Sequence, residues 1–195
     1  MTVDSPATDF LDMPAADNIS DDDLIRAWQD GDQGAFATLY ERHRSPVFRF
    51  FCRQLEPTAA EDAFQETWAK FIRQHNRYQP QGKFRAYLFT IAYNVLHDWH
   101  RKQMRQPPTT DAVEELPAAA ATEHQVERAE LQGLLHQLIK RLPIAQRSAW
   151  LLRHEAGLSL EAIAQTTDSS LEGVKSRLRY ANNKLAAGMQ KYVGP

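Results

Sequence analysis

Apolar residues recur along most of the chain at the three- and four-residue spacing of amphipathic helices, and no stretch shows the alternation of a half-buried strand. Ser20-Asp21-Asp22-Asp23 supplies an N-cap and acids for the start of a first helix, which Gly31 can end. In residues 34–55, Phe36, Leu39, Tyr40, Val47, Phe48 and Phe51 mark a second helical region, which Ser45-Pro46 is expected to kink or divide. Thr58-Ala59-Ala60-Glu61 reads as a capping box opening a third helix, with Phe64, Trp68, Phe71 and Ile72 on its apolar stripe. After a loop at Gln79-Pro80-Gln81-Gly82, a fourth helix turns Phe84, Leu88, Ile91, Ala92, Val95 and Trp99 inward.

The second half follows the same pattern. Helices are predicted over 123–141 and 143–156, with Pro143 suited to a first helical position, and Gly157-Leu158 is a turn. Ser159 caps a short helix containing Ile163 and Ala164. A turn at Thr167-Asp168 leads to Ser169-Ser170-Leu171-Glu172, a second capping box, and a final helix to about Lys191. Two short helices around a tight turn form a helix-turn-helix candidate. The expected class is all-α, with two small helical domains, 20–105 and 123–195, joined by a flexible linker. The linker is 106–122, rich in proline, acid and alanine, although its alanine run could extend the following helix. Residues 1–19, with Pro6, Pro14 and scattered Asp, read as a disordered acidic tail.

At 195 residues, 43% hydrophobic and 25% charged, the composition is that of a soluble globular protein able to bury a core. The net charge of −2 conceals a block arrangement. Residues 1–24 carry seven Asp and no Lys or Arg, whereas residues 70–106 carry eight Lys/Arg against Asp98 alone. Residues 107–130 are acidic again, and residues 171–191 hold five bases against Glu172. Two basic segments separated by an acidic one suggest two surfaces for a polyanion. The single cysteine, Cys52, excludes an internal disulfide framework and a multi-cysteine zinc site. The acidic N-terminus does not read as a secretory signal, and no run approaches the roughly 20 apolar residues of a membrane span. A soluble cytoplasmic protein without membrane insertion is expected.

Three helix faces carry candidate chemistry. On the final helix, Leu171, Val174, Leu178, Ala181 and Leu185 form the buried stripe, while Lys175, Ser176, Arg179 and Asn183 fall opposite, with Arg177 near the edge. Such a helix fits the DNA major groove; the plain alternative is a solvated basic face. On the fourth helix, Phe89, Tyr93, His97 and His100 lie off the apolar stripe, flanked by Asn94 and Arg101. Exposed aromatics among bases and amides suit single-stranded nucleic acid; alternatively, Phe89 and Tyr93 pack against another helix. On the third helix, Asp62, Gln65, Glu66 and Ala69 form an acidic patch suited to a basic protein surface, or a merely solvated face. His97 and His100 are spaced for a metal, but no third ligand stands nearby. With no phosphate-binding glycine loop or nucleophile elbow, no catalytic residue, cofactor or metal is assigned.

The ordered set of motifs resembles the bacterial RNA polymerase sigma factors of the sigma-seventy family, extracytoplasmic-function (ECF) group, over roughly 21–105 and 127–190. Asp32-Gln33-Gly34-Ala35-Phe36 with Leu39-Tyr40-Glu41-Arg42-His43 is similar to that family's opening helix pair. Ala60 to Trp68 resembles the helix that docks on the clamp coiled coil of the largest polymerase subunit. Phe84 to Asn94, with Asp98, resembles the segment that melts and reads the minus-ten element. Leu142-Pro143, Gly157-Leu158-Ser159, Ile163-Ala164 and Val174-Lys175-Ser176-Arg177-Leu178 resemble the minus-thirty-five-reading domain. Tyr87 stands where the family usually has Trp, Asp168 where it often has Gly, and Glu172-Gly173 where it often has Gly-Thr.

The resemblance implies a non-enzymatic transcription-initiation factor. Its partners are core RNA polymerase, through the clamp coiled coil and the flap of the second subunit, then promoter DNA, and an anti-sigma factor as a regulator. It implies polymerase contacts at Asp62, Gln65, Glu66 and Ala69, and minus-ten contacts at Lys83, Arg85, Tyr87, Phe89, Tyr93, Asn94, His97 and Arg101. Minus-thirty-five contacts fall at Lys175, Ser176, Arg177, Arg179 and Asn183. The competing reading is a helix-turn-helix regulator that is not a polymerase subunit.

Overall fold

The computed structural model describes residues 19–105 and 123–190. The expected tail and linker lie outside the described residues, apart from Ile19 at the tail's end, as do residues 191–195. The described residues form eight α-helices, one 3₁₀ turn at His75–Arg77 and no strand. A first group contains α1 (Asp21–Gln29), α2 (Gln33–Cys52), α3 (Pro57–Gln74) and α4 (Phe84–Arg105). The second contains α5 (Glu123–Lys140), α6 (Ile144–His154), α7 (Leu160–Thr166) and α8 (Leu171–Gln190).

Local signals start most of these helices. Ser20 caps α1 by accepting from the Asp23 N–H, Asp32 caps α2 at Gly34 and Ala35, and Ser159 caps α7 at Ala162. Gly31, at φ +108°, turns the chain after α1. Two starts differ from the sequence expectation. Helix α3 begins at Pro57 behind Glu56, without a side-chain cap, so Thr58–Glu61 lies inside it; proline, lacking an N–H, fits the first helical position. For α8, Ser170 provides the cap, accepting from the Gly173 N–H at 3.0 Å, while Ser169 meets the Thr167 hydroxyl at 2.7 Å. Asp168 at φ +45° makes that turn in the left-handed region that Asp tolerates.

Pro46 does not divide α2, which runs unbroken from Gln33 to Cys52. An interior proline costs about 3 kcal/mol. Burial of Ala35 and Leu39 before it, and of Val47, Phe50 and Phe51 after it, offsets that cost. The first group's core is aromatic: Phe50, Phe51, Phe71, Phe84 and Phe89 are fully buried, and Trp28 packs on Phe36 and Phe71 with centroids 4.6 and 5.5 Å apart. Ile72, expected in this core, is 42% exposed.

The two groups pack together, with α4 against α7. Buried Ser148 donates to Gln54 Oε1 at 2.9 Å, Thr90 and Thr166 hydroxyls meet at 3.1 Å, and Glu155 receives Arg49 and Arg53, each at 2.8 Å.

Candidate nucleic-acid interface

Lys83 and Arg85 are exposed where the loop enters α4, giving that end of the helix two cations, and the Arg85 guanidinium lies beside Gly157. Tyr87 is half-buried, with its ring 4.8 Å from Tyr78 and 6.4 Å from Phe71. Phe89 departs from its expected outward position. It is 0% exposed and meets Phe50 edge-on at 5.7 Å. Helix α4 packs against α2, α3 and α7 at once, so its buried face is wider than one apolar stripe and takes in Phe89.

One turn further on, Tyr93 is half-buried and its hydroxyl meets His97 Nε2 at 2.9 Å. Burial raises the Tyr93 pKa, against the pull of the Arg177 charge from α8. Asn94, His97 and Arg101 are exposed, and Arg101 pairs with Asp98. These side chains form one wall of an open cleft whose opposite wall is Thr166-Thr167-Asp168. His97 is engaged by Tyr93, while His100 has a buried Nε2 without a hydrogen-bond partner. Burial, then the charges of Arg147 and His97, lower the His100 pKa. Among the described residues no three His, Cys, Asp or Glu side chains are grouped to hold a metal ion.

On α3, Asp62 and Gln65 are exposed, and Ala69 is half-exposed beside them. Glu66 is committed elsewhere: it accepts from Trp99 Nε1 at 3.3 Å and pairs with Lys70 at 2.9 Å, and Lys70 also reaches Asp98 at 3.7 Å. Burial would raise the Glu66 pKa, but the hydrogen bond and charge of Lys70, with Trp99 and Lys102, hold it below its ordinary value. The free part of the acidic face is therefore Asp62 and Gln65, and Glu66 braces α3 against α4.

On α8, Val174, Ala181 and Leu185 are buried, and Lys175, Arg179 and Asn183 are exposed. Ser176 and Arg177 are half-buried. The Arg179 guanidinium lies 5.3 Å from the centre of the Tyr180 ring. Glu172, expected to complete the cap, instead binds Lys175 at 2.8 Å, and this bond raises the Lys175 pKa. Sequence reasoning missed the Gln54–Ser148 and Arg49/Arg53–Glu155 links, which join residues about a hundred positions apart and leave no periodic trace.

Residues 39–106 match the family model described as Sigma-70 region 2, and residues 132–185 match Sigma-70, region 4. The ECF RNA polymerase sigma-E factor of Haemophilus influenzae is 27% identical over 185 residues, covering 90% of this chain and 98% of its own. That of Escherichia coli K12 is 28% identical over 188 residues, covering 91% and 98%. The fold matches the sigma factor RpoE of Bartonella quintana, solved in complex with the anti-sigma factor NepR: TM-score 0.66, 22% identity, 79% of this chain and 96% of that one. It also matches CnrH, solved with the cytosolic domain of CnrY: TM-score 0.62, 23% identity, 86% and 95%. Among the described residues no helix is long and apolar enough to cross a membrane.

Proposed function

The chain belongs to the extracytoplasmic-function group of sigma-70 family sigma factors, which bind core RNA polymerase and direct transcription initiation, and from that membership we propose how its surfaces divide the work. The observation that carries the reading is the α7–Asp168–α8 helix-turn-helix, whose second helix turns Lys175, Arg179 and Asn183 outward on a buried Val174/Ala181/Leu185 stripe. Lys175, Arg179 and Asn183, with Ser176 and Arg177 at the edge, take the minus-thirty-five duplex. Cationic groups position the helix on phosphates, and amide or guanidinium groups meet base edges in the major groove.

The group of α1–α4, within the proposed domain 20–105, docks through Asp62, Gln65 and Ala69 on the polymerase clamp, with Glu66 stiffening that face. Lys83 and Arg85 meet the phosphates of the minus-ten segment. Tyr93, Asn94, His97 and Arg101 receive the separated strand, and Tyr87 supports them. Extruding a base costs a few kcal/mol, which stacking of about 1–3 kcal/mol per base offsets. Tyr93 and His97 face the α7–α8 turn across the cleft, so a strand reaches them after the two helical groups part. Tethering on polymerase raises the effective concentration of both DNA-binding faces, so neither needs high affinity alone. That explains how a chain of net charge −2 works on DNA.

The factor acts in the cytoplasm beside polymerase and needs no catalytic residue, cofactor or metal of its own. An anti-sigma factor is a fitting regulator, because the RpoE relative in fold was solved with the anti-sigma factor NepR. The test is co-elution with core polymerase. The wild-type chain is expected to elute stoichiometrically, and the Asp62→Arg/Gln65→Arg variant, altered only at exposed positions, to lose at least tenfold in affinity while keeping its helical fold. A wild-type chain that fails to co-elute supports the free regulator instead; unchanged affinity in the folded variant removes α3 from the docking surface.

A further inference from the structure

The three acids that open α1 have different neighbours. Asp21 binds Arg42 at 2.6 Å and His43 at 2.8 Å, and Asp23 pairs with Arg26 at 2.8 Å. Both therefore have a cationic partner in addition to the favourable helix N-terminus. Asp22 has no ion pair among the described residues and is 9% exposed. Burying a carboxylate is costly unless hydrogen bonds satisfy it. The bonds Asp22 makes lead to one place: Oδ1 accepts from the Tyr78 hydroxyl at 3.2 Å, and Oδ2 accepts from the Gly82 N–H.

Those two donors bracket the loop between the 3₁₀ turn and α4. Gly82 sits at φ +70°, with open space where a Cβ would be, so its conformation and not crowding calls for glycine. The same helix grips the loop's entry, since Gln29 Nε2 donates to the carbonyls of His75 at 2.8 Å and Tyr78 at 3.1 Å. Burial, then the charge and hydrogen bond of Asp22, push the Tyr78 pKa up to about 12, so the hydroxyl remains a donor at neutral pH. Between the anchored ends, Gln79 and Gln81 are exposed, and exposed Lys83 follows. A primary amide held at a fixed position can hydrogen-bond a base edge, whereas a wandering one cannot discriminate.

We propose that Asp22 is a positioning residue for base selectivity in the minus-ten element: it clamps Tyr78 and Gly82 so that Gln79 and Gln81 meet an unpaired base in one geometry. This rests on the reading that α4 takes the separated strand, with Lys83 and Arg85 on its phosphates. Affinity has other sources, because Lys83 and Arg85 can hold phosphates and Tyr93 can stack without the clamp.

The test uses the full chain with core polymerase on a promoter library randomised across the minus-ten segment, followed by sequencing of the transcripts. Asp22→Ala is expected to reduce the preference at one position about tenfold, the scale of one lost base contact. Affinity for core polymerase and for upstream duplex should stay within twofold of wild type. Tyr78→Phe, which deletes one hydroxyl, should give a smaller loss at the same position, and it decides the question if Asp22→Ala fails to fold. Wild-type preference retained in the folded variants, or an equal loss at every position, overturns the inference. A wild-type chain that binds polymerase but shows no minus-ten preference overturns the reading of the loop itself.

Discussion

Phe89 and Tyr93 stand one turn apart on α4 and look alike in the sequence, yet they have opposite surroundings. Phe89 is sealed against Phe50, and Tyr93 stands half-open at the cleft with its hydroxyl on His97. Phe89→Ala should therefore destabilise the fold by about 3–5 kcal/mol, the cost of a buried ring and the cavity left behind. Tyr93→Ala should cost about 1 kcal/mol of stability and lower open-complex yield about tenfold, with partial rescue by a template whose minus-ten segment is already unpaired. Thermal unfolding with open-complex yield on both templates separates them; a Tyr93→Ala chain that loses stability and gains nothing from the open template has a core residue there. The 3.6-residue period identified Leu88, Ile91 and Val95 as buried. It misplaced Phe89 because the period describes one apolar stripe, and α4 is covered on several sides. The commitment of Glu66 to Trp99 was likewise invisible, since Trp99 lies 33 positions away on another helix, whereas its pair with Lys70 has the ordinary i,i+4 spacing of a helix.

At the scale of elements, the sequence was most legible. Helix identity follows from periodicity sustained over many residues, and the caps at Ser20 and Ser159 stand where their chemistry predicts. The cap position of α3 moved from Thr58 to Glu56, because Pro57 suits the first helical position, and that of α8 moved from Ser169 to its neighbour Ser170, which offered a competing cap. That shift has a consequence for α8. Glu172, released from any capping duty, holds Lys175 and keeps a negative charge on the face proposed to meet DNA. Glu172→Ala should free Lys175, strengthen binding to every duplex a few-fold and steepen the salt dependence by up to about one unit of log–log slope. Arg179→Ala should weaken binding, relaxing the sequence preference at one position if the guanidinium reads a base, or weakening all sequences alike if it holds a phosphate. Fluorescence anisotropy on cognate and scrambled upstream duplexes over a salt series checks both; two variants that bind as wild type does would remove α8 as the reader.

At the scale of the molecule, the sequence indicated two helical groups, but not how they meet. The two groups share a continuous apolar core where α4 packs on α7, and polar pairs between distant positions add to it; Glu155 is the most connected of these, receiving Arg49 and Arg53 together. Glu155→Arg would leave three cations facing one another. It should part the two groups, seen as a larger radius of gyration by small-angle scattering, and speed the binding of a pre-melted minus-ten strand by exposing Tyr93 and His97. An unchanged radius, or an opened chain that binds the strand no faster, would show that the packed arrangement does not restrict access. Docking, strand capture and duplex reading all serve one outcome, so the most direct measurement is run-off transcription by core polymerase on the genomic promoters that the holoenzyme protects, with and without the chain. Transcripts with defined starts are expected only when the chain is present, reduced by Asp62→Arg/Gln65→Arg and by Tyr93→Ala alike; polymerase that gives the same transcripts with and without the chain would contradict a role in initiation.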